Sequence, residues 1–259
     1  MTRPVFLSDD LTPSADTVSA GASVHLGGPE GRHAAVVRRL GVGAELDVVD
    51  GLGLRLTCTV TAVGGQGLDL RVLDVRDEGA PCPSLVLVQA LAKGGRDEQA
   101  VESATEIGMD SFIPWQSERT IVRWNAQKAQ RGRAKWQDVA RSAAKQSRRA
   151  HLPSVHEVLD TRGLVRWVQG LVEGGGVCLV CHEEAPRTLV DLMREDGQPL
   201  RRSACVAVVV GPEGGITPAE LSSLETVGGR PVLLGPHVLR SSTAGPAAGI
   251  LLGAALGRW

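Results

Sequence analysis

The spacing of hydrophobic and polar residues changes near residue 80. Before that point, stretches such as AELDVVDG, LRLTCTVTAVGG and LDLRVLDVRD alternate between apolar and polar positions and are separated by glycine-rich turns. Alternation with a period of two is typical of strands that bury one face. The first part of the chain is therefore predicted to form a small antiparallel sheet or barrel.

From Leu85 onward, apolar runs of strand length alternate with segments of helix length. The predicted strands are SLVLVQAL, SFIPW, GVCLVCH, CVAVVV and PVLL. The predicted helices are RDEQAVESATEIG, the segment from about Asn125 to Ser147, TRGLVRWVQGLVE, RTLVDLMRE, PAELSSLETVGG and the segment after Ser242. This alternation predicts an α/β domain with a largely parallel sheet. Because the proline pair in EGAPCPS punctuates the junction, we predict two domains, residues 1–79 and 80–259.

The strand-like stretch VAVVVGPEGGIT ends abruptly on a Gly-Pro-Glu-Gly-Gly loop. Thr217, Pro218 and Glu220 have the pattern of a helix start, with an N-cap, a proline at N1 and a capping-box glutamate. The loop therefore joins a strand end to a helix start, on the side of a parallel sheet where ligands bind. A P-loop is disfavoured because no Lys-Ser/Thr follows and Glu213 repels phosphate. A tight turn without a ligand is the alternative.

A second apolar strand, in PVLLGPHVLRSSTAG, is interrupted by Gly235-Pro236. Two such loops at adjacent strand ends predict one shared pocket lined by backbone. Val238 and Leu239 are expected to form its apolar wall and Arg240 to supply a charge. A solvated cation at a helix end is the alternative for Arg240.

Composition narrows the class of protein. Apolar residues make up 42%, charged residues 22%, and the net charge is −1. No apolar run reaches the ~18–20 residues that cross a membrane, and the first residues lack the layout of a signal peptide. A cytoplasmic protein without membrane contact is expected. The motif CLVCH matches the haem-attachment pattern only formally, because residues three apart on a strand point to opposite faces. We expect no metal.

The charge is distributed unevenly along the chain. Residues 119–149 contain ten basic residues and one acid, a net charge of +9, so the other 228 residues carry −10. Such a block predicts contact with nucleic acid. At 100° per residue, five cations fall on one side of the long helix: Arg131, Lys135, Arg141, Lys145 and Arg148. The apolar residues opposite are Trp136, Val139, Ala140 and Ala143. A merely solvated helix face is the alternative.

The two loop motifs together carry a family resemblance. GPEGGIT followed by LLGPHVLRSSTA resembles the C-terminal signature of the ribosomal RNA uracil-N3 methyltransferases of the SPOUT superfamily. The segments ALAKGGRDEQAVESATEIGMDSFIPWQSERTIVRW, KWQDVARSAAKQSRRAHLPSV and GRHAAVVRRLGVGAELDVVDG are also similar to segments of that family. The resemblance thus covers nearly the whole chain, with its motifs in the same order.

The resemblance implies a fold, a reaction and partners. The implied fold is a SPOUT α/β methyltransferase domain with a trefoil knot, preceded by a small PUA-like β-barrel. The implied reaction methylates N3 of a uridine in 16S rRNA of the small ribosomal subunit with S-adenosylmethionine, and the implied assembly is a homodimer. The residues implied to bind the cofactor are Cys181, His182, Gly211, Pro212, Glu213, Gly214, Leu234, Gly235, Val238, Leu239, Arg240 and Ser241.

Base recognition is expected to involve the N-terminal module, because phosphate contacts do not identify a base. His33, Arg38 and Arg39 lie together there, although a surface histidine without this role is an equal alternative for His33. Lys93, which precedes Gly94-Gly95 between a strand and a helix, is expected to hold RNA near the active site. An exposed turn lysine is the alternative.

The chain departs from the family pattern at the expected catalytic positions. Arg240 is the candidate for stabilising negative charge on the base. Many relatives have Arg where His237 stands, an acidic residue where Ser242 stands and Lys where Ser103 stands. If the family's acid were the obligatory base, Ser242 could not replace it, so either that residue is not the base or another carboxylate takes its place. His237 is a further candidate for the base. Two other functions stay open: a SPOUT enzyme methylating a ribose 2′-oxygen or a guanine nitrogen, and a non-catalytic RNA-binding protein.

Overall fold

A computed structural model describes residues 3–259, except for the side chain of Asp196. The chain forms two compact units. The first unit contains the residues up to Ala80 together with Ala144–Leu152, and the second contains Pro81–Ala143 and Pro153–Trp259. The chain thus contributes to the first unit a second time, through Ala144–Leu152. The single predicted boundary between residues 79 and 80 does not include this segment.

The first unit is built on a six-stranded sheet in the order β1-β4-β5-β6-β3-β2. All neighbouring pairs are antiparallel except β1 with β4. The strands are β1 (Val5–Leu7), β2 (Leu11–Thr12), β3 (Ser23–Leu26), β4 (Glu45–Val49), β5 (Leu54–Gly64) and β6 (Gly67–Asp77). A 3₁₀ turn (Ala15–Thr17), helix α1 (Gly28–Arg32) and a π-helical turn (His33–Val37) complete it. Alternate residues of β5 and β6, such as Leu56 and Leu70, fill its core, as the alternation predicted.

The second unit contains a seven-stranded sheet whose pairs are all parallel, as predicted. Its order is β10-β8-β7-β12-β11-β13, and β9 also pairs with β8. The strands are β7 (Ser84–Ala90), β8 (Ser111–Gln116), β9 (Ser154–Val155), β10 (Leu159–Asp160), β11 (Val177–Cys181), β12 (Cys205–Val210) and β13 (Arg230–Val232). The helices are α2 (Arg96–Glu106), α3 (Ala126–Gln146), α4 (Thr161–Glu173), α5 (Leu189–Arg202), α6 (Pro218–Thr226) and α7 (Ser241–Ala255).

Successive residues of the parallel strands bury their side chains on opposite faces of this sheet. Leu179 and Val208 belong to a core cluster with residues of α2, α3 and α7. Cys178 and Val180 belong to a second cluster with residues of α4 and α6. Cys181 packs against the first cluster and Cys178 lies in the second, as the strand geometry of CLVCH predicted.

The two strands that end in Gly-Pro loops are not adjacent, contrary to the sequence-based expectation. β11 lies between β12 and β13 and pairs in parallel with both. Because all three strands run in the same direction, their carboxyl ends meet at one edge of the sheet. The end of β11 at Cys181 is therefore placed between the two loops.

The long basic helix is slightly shorter than predicted. α3 ends at Gln146, and Arg148 lies in the turn beyond it with φ of 60°. This left-handed backbone cannot continue a helix, so the assignment of Arg148 to a face of the helix was wrong. The predicted apolar side is confirmed, because Trp136, Ala140 and Ala143 are buried. Among the described helices, none has the length and apolar character that a membrane span requires.

Candidate active site

A cavity of about 560 Å³ lies at the carboxyl ends of β11, β12 and β13. Its walls are the loop after β12, the segment between β13 and α7, and the end of β11. All the residues that the sequence assigned to cofactor binding line this cavity, and His237 lines it as well: Cys181, His182, Gly211, Pro212, Glu213, Gly214, Leu234, Gly235, Val238, Leu239, Arg240 and Ser241. The fold thus brings together three segments that are separated along the chain.

The Gly-Pro-Glu-Gly-Gly loop is held by a buried carboxylate at its helical end. The predicted capping box is present, with Thr217 as N-cap and Glu220 at N3 of α6. Glu220 is only 1% exposed. Its oxygens accept hydrogen bonds from the Glu118 amide (2.8 Å), the Thr161 hydroxyl (2.7 Å) and the Thr217 amide (3.0 Å). One side chain therefore ties the loop to the segment after β8 and to the start of α4.

The second loop leads directly into the final helix. Arg240 is the N-cap of α7 and Ser241 is its first residue. The Nε2 of Gln89, which is fully buried at the end of β7, donates a hydrogen bond of 2.9 Å to the Ser241 hydroxyl. Val238 and Arg240 remain exposed, so the apolar wall and the cation expected from the sequence border the cavity without closing it.

Two arginines that the sequence-based reasoning missed also line the cavity. Arg96, the first residue of α2, donates from Nη1 to Glu213 Oε1 at 3.0 Å. Arg119, in the segment after β8, donates from Nη1 to the Gly214 carbonyl at 2.9 Å. Both lie about a hundred residues before the loop they contact, and no local pattern indicates such a contact. Glu213 is therefore paired with a cation.

The proton acceptors around the cavity are few. Its lining contains the carboxylates Glu183 and Glu213 and the imidazoles His182 and His237. The Nδ1 of His182 accepts a hydrogen bond from the Glu184 amide at 3.2 Å, which leaves the proton of its neutral form on Nε2. Burial raises the pKa of the Cys181 thiol to about 12, so it stays protonated at neutral pH.

The predicted RNA-binding residues of the first unit differ in their surroundings. The His33 ring meets Phe6 edge-on, with centroids 5.9 Å apart. Arg38 and Arg39 are exposed, and Arg39 has φ of 52°. The Lys145 ammonium pairs with Glu30 at 2.6 Å, and both side chains are largely buried. Its charge is thus already neutralised within the protein.

The predicted RNA-binding residues of the second unit are mostly exposed. Lys93 and Arg131 lie on the surface, and Arg141 is half-buried. Lys135 forms an ion pair of 2.5 Å with Glu98, although its side chain is 63% exposed. Across residues 3–259, the described side chains include no group of three or more His, Cys, Asp or Glu residues that could hold a metal ion.

The chain matches two family models and a well-covered relative. Residues 79–253 match an RNA methyltransferase domain, and residues 26–73 match the PUA domain of RNA methyltransferases. The ribosomal RNA small subunit methyltransferase E of Mycobacterium bovis is 42% identical over 239 residues, which cover 92% of this chain and 89% of the relative.

Two solved structures are similar over 98% of both chains. A Legionella pneumophila protein described as a methyltransferase, in complex with SAM, has a TM-score of 0.80 at 25% identity. The ribosomal RNA small subunit methyltransferase E of Neisseria gonorrhoeae, bound to S-adenosylmethionine, has a TM-score of 0.81 at 24% identity, a likeness of fold. These similarities confirm the predicted combination of a PUA-like domain and a SPOUT methyltransferase domain.

Proposed function

The chain belongs to the ribosomal RNA small subunit methyltransferase E family, and we propose that it methylates N3 of a specific uridine in 16S rRNA with S-adenosylmethionine as methyl donor. The observation that carries this proposal is the convergence of both Gly-Pro loops and the β11 end on one cavity. A protein that only binds RNA has no need of such a pocket.

The cavity fits the proposed cofactor in size and chemistry. Its volume of about 560 Å³ lies within the usual range for pockets that bind small ligands. A Cβ atom at Gly235 would meet nothing within 4 Å, so this loop leaves open space beside the cavity. Backbone groups of the two loops would hold the adenosine part, and Leu234 and Leu239 would supply apolar contacts. When bound, S-adenosylmethionine supplies an electrophilic methyl group on a sulfonium.

The chain's own residues would then prepare the uracil for attack. Its N3 carries a weakly acidic proton that must leave, and negative charge develops on the ring. We propose that His237, which lines the cavity, accepts this proton, because a neutral imidazole can act as a general base. Arg240, the exposed cation at the start of α7, would stabilise the developing charge. Orientation of the base against the donor would supply much of the rate enhancement.

The first unit and the basic surface would bind the ribosomal substrate. We propose that His33, Arg38 and Arg39, together with Lys93, Arg131 and Arg141, contact RNA. Arg148 and Lys135 extend this set, whereas Lys145 would contribute only if its ion pair with Glu30 opened. The proposed reaction requires a uridine that is unstacked from its neighbours. Proteins usually recognise single-stranded RNA through such unstacked bases.

We further propose a trefoil knot, a homodimer and a cytoplasmic location. The knot is supported by the path of the C-terminal segment, which leaves β13 at one edge of the sheet and returns to pack α7 against α2, β7 and β12. The homodimer and the location follow from the family resemblance.

The experiment that tests the proposed function identifies the product. Purified protein is incubated with labelled S-adenosylmethionine and small ribosomal subunits that lack the modification, and the labelled nucleoside is identified by mass spectrometry. We expect N3-methyluridine. A ribose-methylated or guanine product would contradict the proposed substrate, and the absence of both methyl transfer and cofactor binding would contradict the enzyme itself.

A further inference from the structure

Arg96 and Arg119 have no role in the mechanism proposed above, although both line the cavity. Their hydrogen bonds end on consecutive residues of one loop, Glu213 and Gly214. Because neighbouring Cα atoms are about 3.8 Å apart, the two guanidinium groups lie beside the same short stretch of backbone. They form a pair of cations at the edge of the cofactor pocket.

Both guanidinium groups keep most of their donors available. A guanidinium carries five N–H donors, and its planar shape matches phosphate oxygens. Among the described residues, Arg96 and Arg119 each make one hydrogen bond with a side-chain donor, and both residues are exposed. Anchored arginines with unused donors are suited to bind an anion from outside the protein.

The carboxylate of Glu213 already occupies the place of an anion beside Arg96. The Arg96 and Glu213 side chains are 44% and 35% exposed. An ion pair that is open to solvent contributes little to stability. An incoming phosphate can therefore replace Glu213 at low cost.

We propose that Arg96 and Arg119 form a subsite for a backbone phosphate of the RNA next to the target uridine, and that Glu213 occupies this subsite until RNA binds. This inference rests on the proposed function. Phosphate binding releases Glu213, whose loop also lines the cofactor pocket.

The test compares the variants Arg96→Ala and Arg119→Ala with Arg166→Ala, an exposed cation of α4 that does not line the cavity. Equilibrium dialysis measures S-adenosylmethionine affinity without RNA, and methyl transfer to unmodified small subunits gives KM at several salt concentrations. For each of the two cavity variants we expect a cofactor affinity within about twofold of wild type and a KM raised about tenfold, equivalent to one charge-assisted hydrogen bond. The slope of log KM against log salt should fall by about one.

A third variant tests the role of Glu213 as a placeholder. Fluorescence anisotropy measures the binding of a labelled 16S rRNA fragment to full-length protein without cofactor. Glu213→Gln removes the competing carboxylate charge, so we expect the fragment to bind about threefold more tightly than to wild type. Unchanged or weaker RNA binding by this variant would overturn the placeholder role.

Two results would overturn the phosphate subsite. Each arginine substitution could weaken S-adenosylmethionine binding without RNA by the same factor by which it raises KM. In that case the arginines support cofactor binding or the loop that lines the cofactor pocket. If Arg166→Ala raises KM equally, the effect is one of general surface charge. If the proposed function is wrong, the wild-type protein forms another methylated nucleoside. The salt dependence of KM for the arginine variants still tests the phosphate subsite in that case.

Discussion

At the scale of single residues, burial separates the cysteines that can react from those that cannot. Cys58 and Cys178 are fully buried, and burial raises the pKa of each thiol to about 12. Cys82 is exposed. The thiolate is the nucleophilic form of cysteine, so a raised pKa lowers the reactive fraction at neutral pH.

We therefore expect iodoacetamide at pH 8 to modify Cys82 in the native protein and to leave Cys58 and Cys178 unmodified. The check is peptide mass spectrometry over a time course. A urea-unfolded sample, in which all three cysteines should react, is the control. Native labelling of Cys178 as fast as that of Cys82 would contradict the burial of the Cys178 thiol.

The proposed base gives a second prediction at this scale. His237→Ala should lower kcat by about 10²-fold to 10⁴-fold, the usual contribution of a general base. The affinity for S-adenosylmethionine, measured by calorimetry, should change little, because the loop backbone is retained. Added imidazole should restore part of the activity of this variant. A variant with unchanged kcat would exclude His237 as the base.

At the scale of elements, a few buried polar groups hold the loops that form the pocket. Glu220 of α6 accepts hydrogen bonds from three segments: its own N-cap residue Thr217, Glu118 after β8 and Thr161 at the start of α4. The capping box was predictable because it is local. The bonds to Glu118 and Thr161 were not, since those residues lie far away along the chain.

We expect Glu220→Ala to lower the free energy of unfolding by about 2–4 kcal/mol, because it leaves three partly buried donors without their acceptor. The matched control is Glu225→Ala, an exposed glutamate at the other end of the same helix, which should change it by less than about 0.5 kcal/mol. Urea unfolding measures both. Equal effects of the two substitutions would contradict the role of Glu220 as a tie between segments.

At the scale of the whole molecule, the cations of the basic block, residues 119–149, lie in two kinds of environment. Its excess charge predicted a nucleic-acid surface, but the structure places some of its cations in ion pairs within the protein. Lys145 pairs with the largely buried Glu30, whereas Arg131 is exposed. Lys145 therefore supports folding, whereas the exposed Arg131 is the one for which we propose a contact with RNA.

The substitutions Lys145→Ala and Arg131→Ala should distinguish a cation that stabilises the fold from one that contacts RNA. Lys145→Ala should lower the free energy of unfolding by about 1–3 kcal/mol, because it leaves a poorly solvated carboxylate unpaired. Arg131→Ala should leave stability within about 0.5 kcal/mol and reduce the salt slope of RNA binding by about one. Urea unfolding and anisotropy titrations give the two values. A loss of stability in Arg131→Ala without one in Lys145→Ala would contradict the assignment of Lys145 to folding.

The sequence by itself determined the features that depend on local spacing. These are the change from alternating strands to α/β units, the parallel second sheet, the capping box at Thr217 and the buried side of α3. It also indicated which loop residues line the pocket, because both loop motifs resemble the family's signature residue by residue.

Only the tertiary structure decided the features that depend on which distant segments meet. It inserted β11 between β12 and β13, brought Arg96 and Arg119 to the Glu213 loop and paired Lys145 with Glu30. Hydrophobic periodicity specifies which face of an element is buried, but not which neighbour covers it or which charged group lies beside it. Strand order and long-range ion pairs depend on the packing of the whole chain.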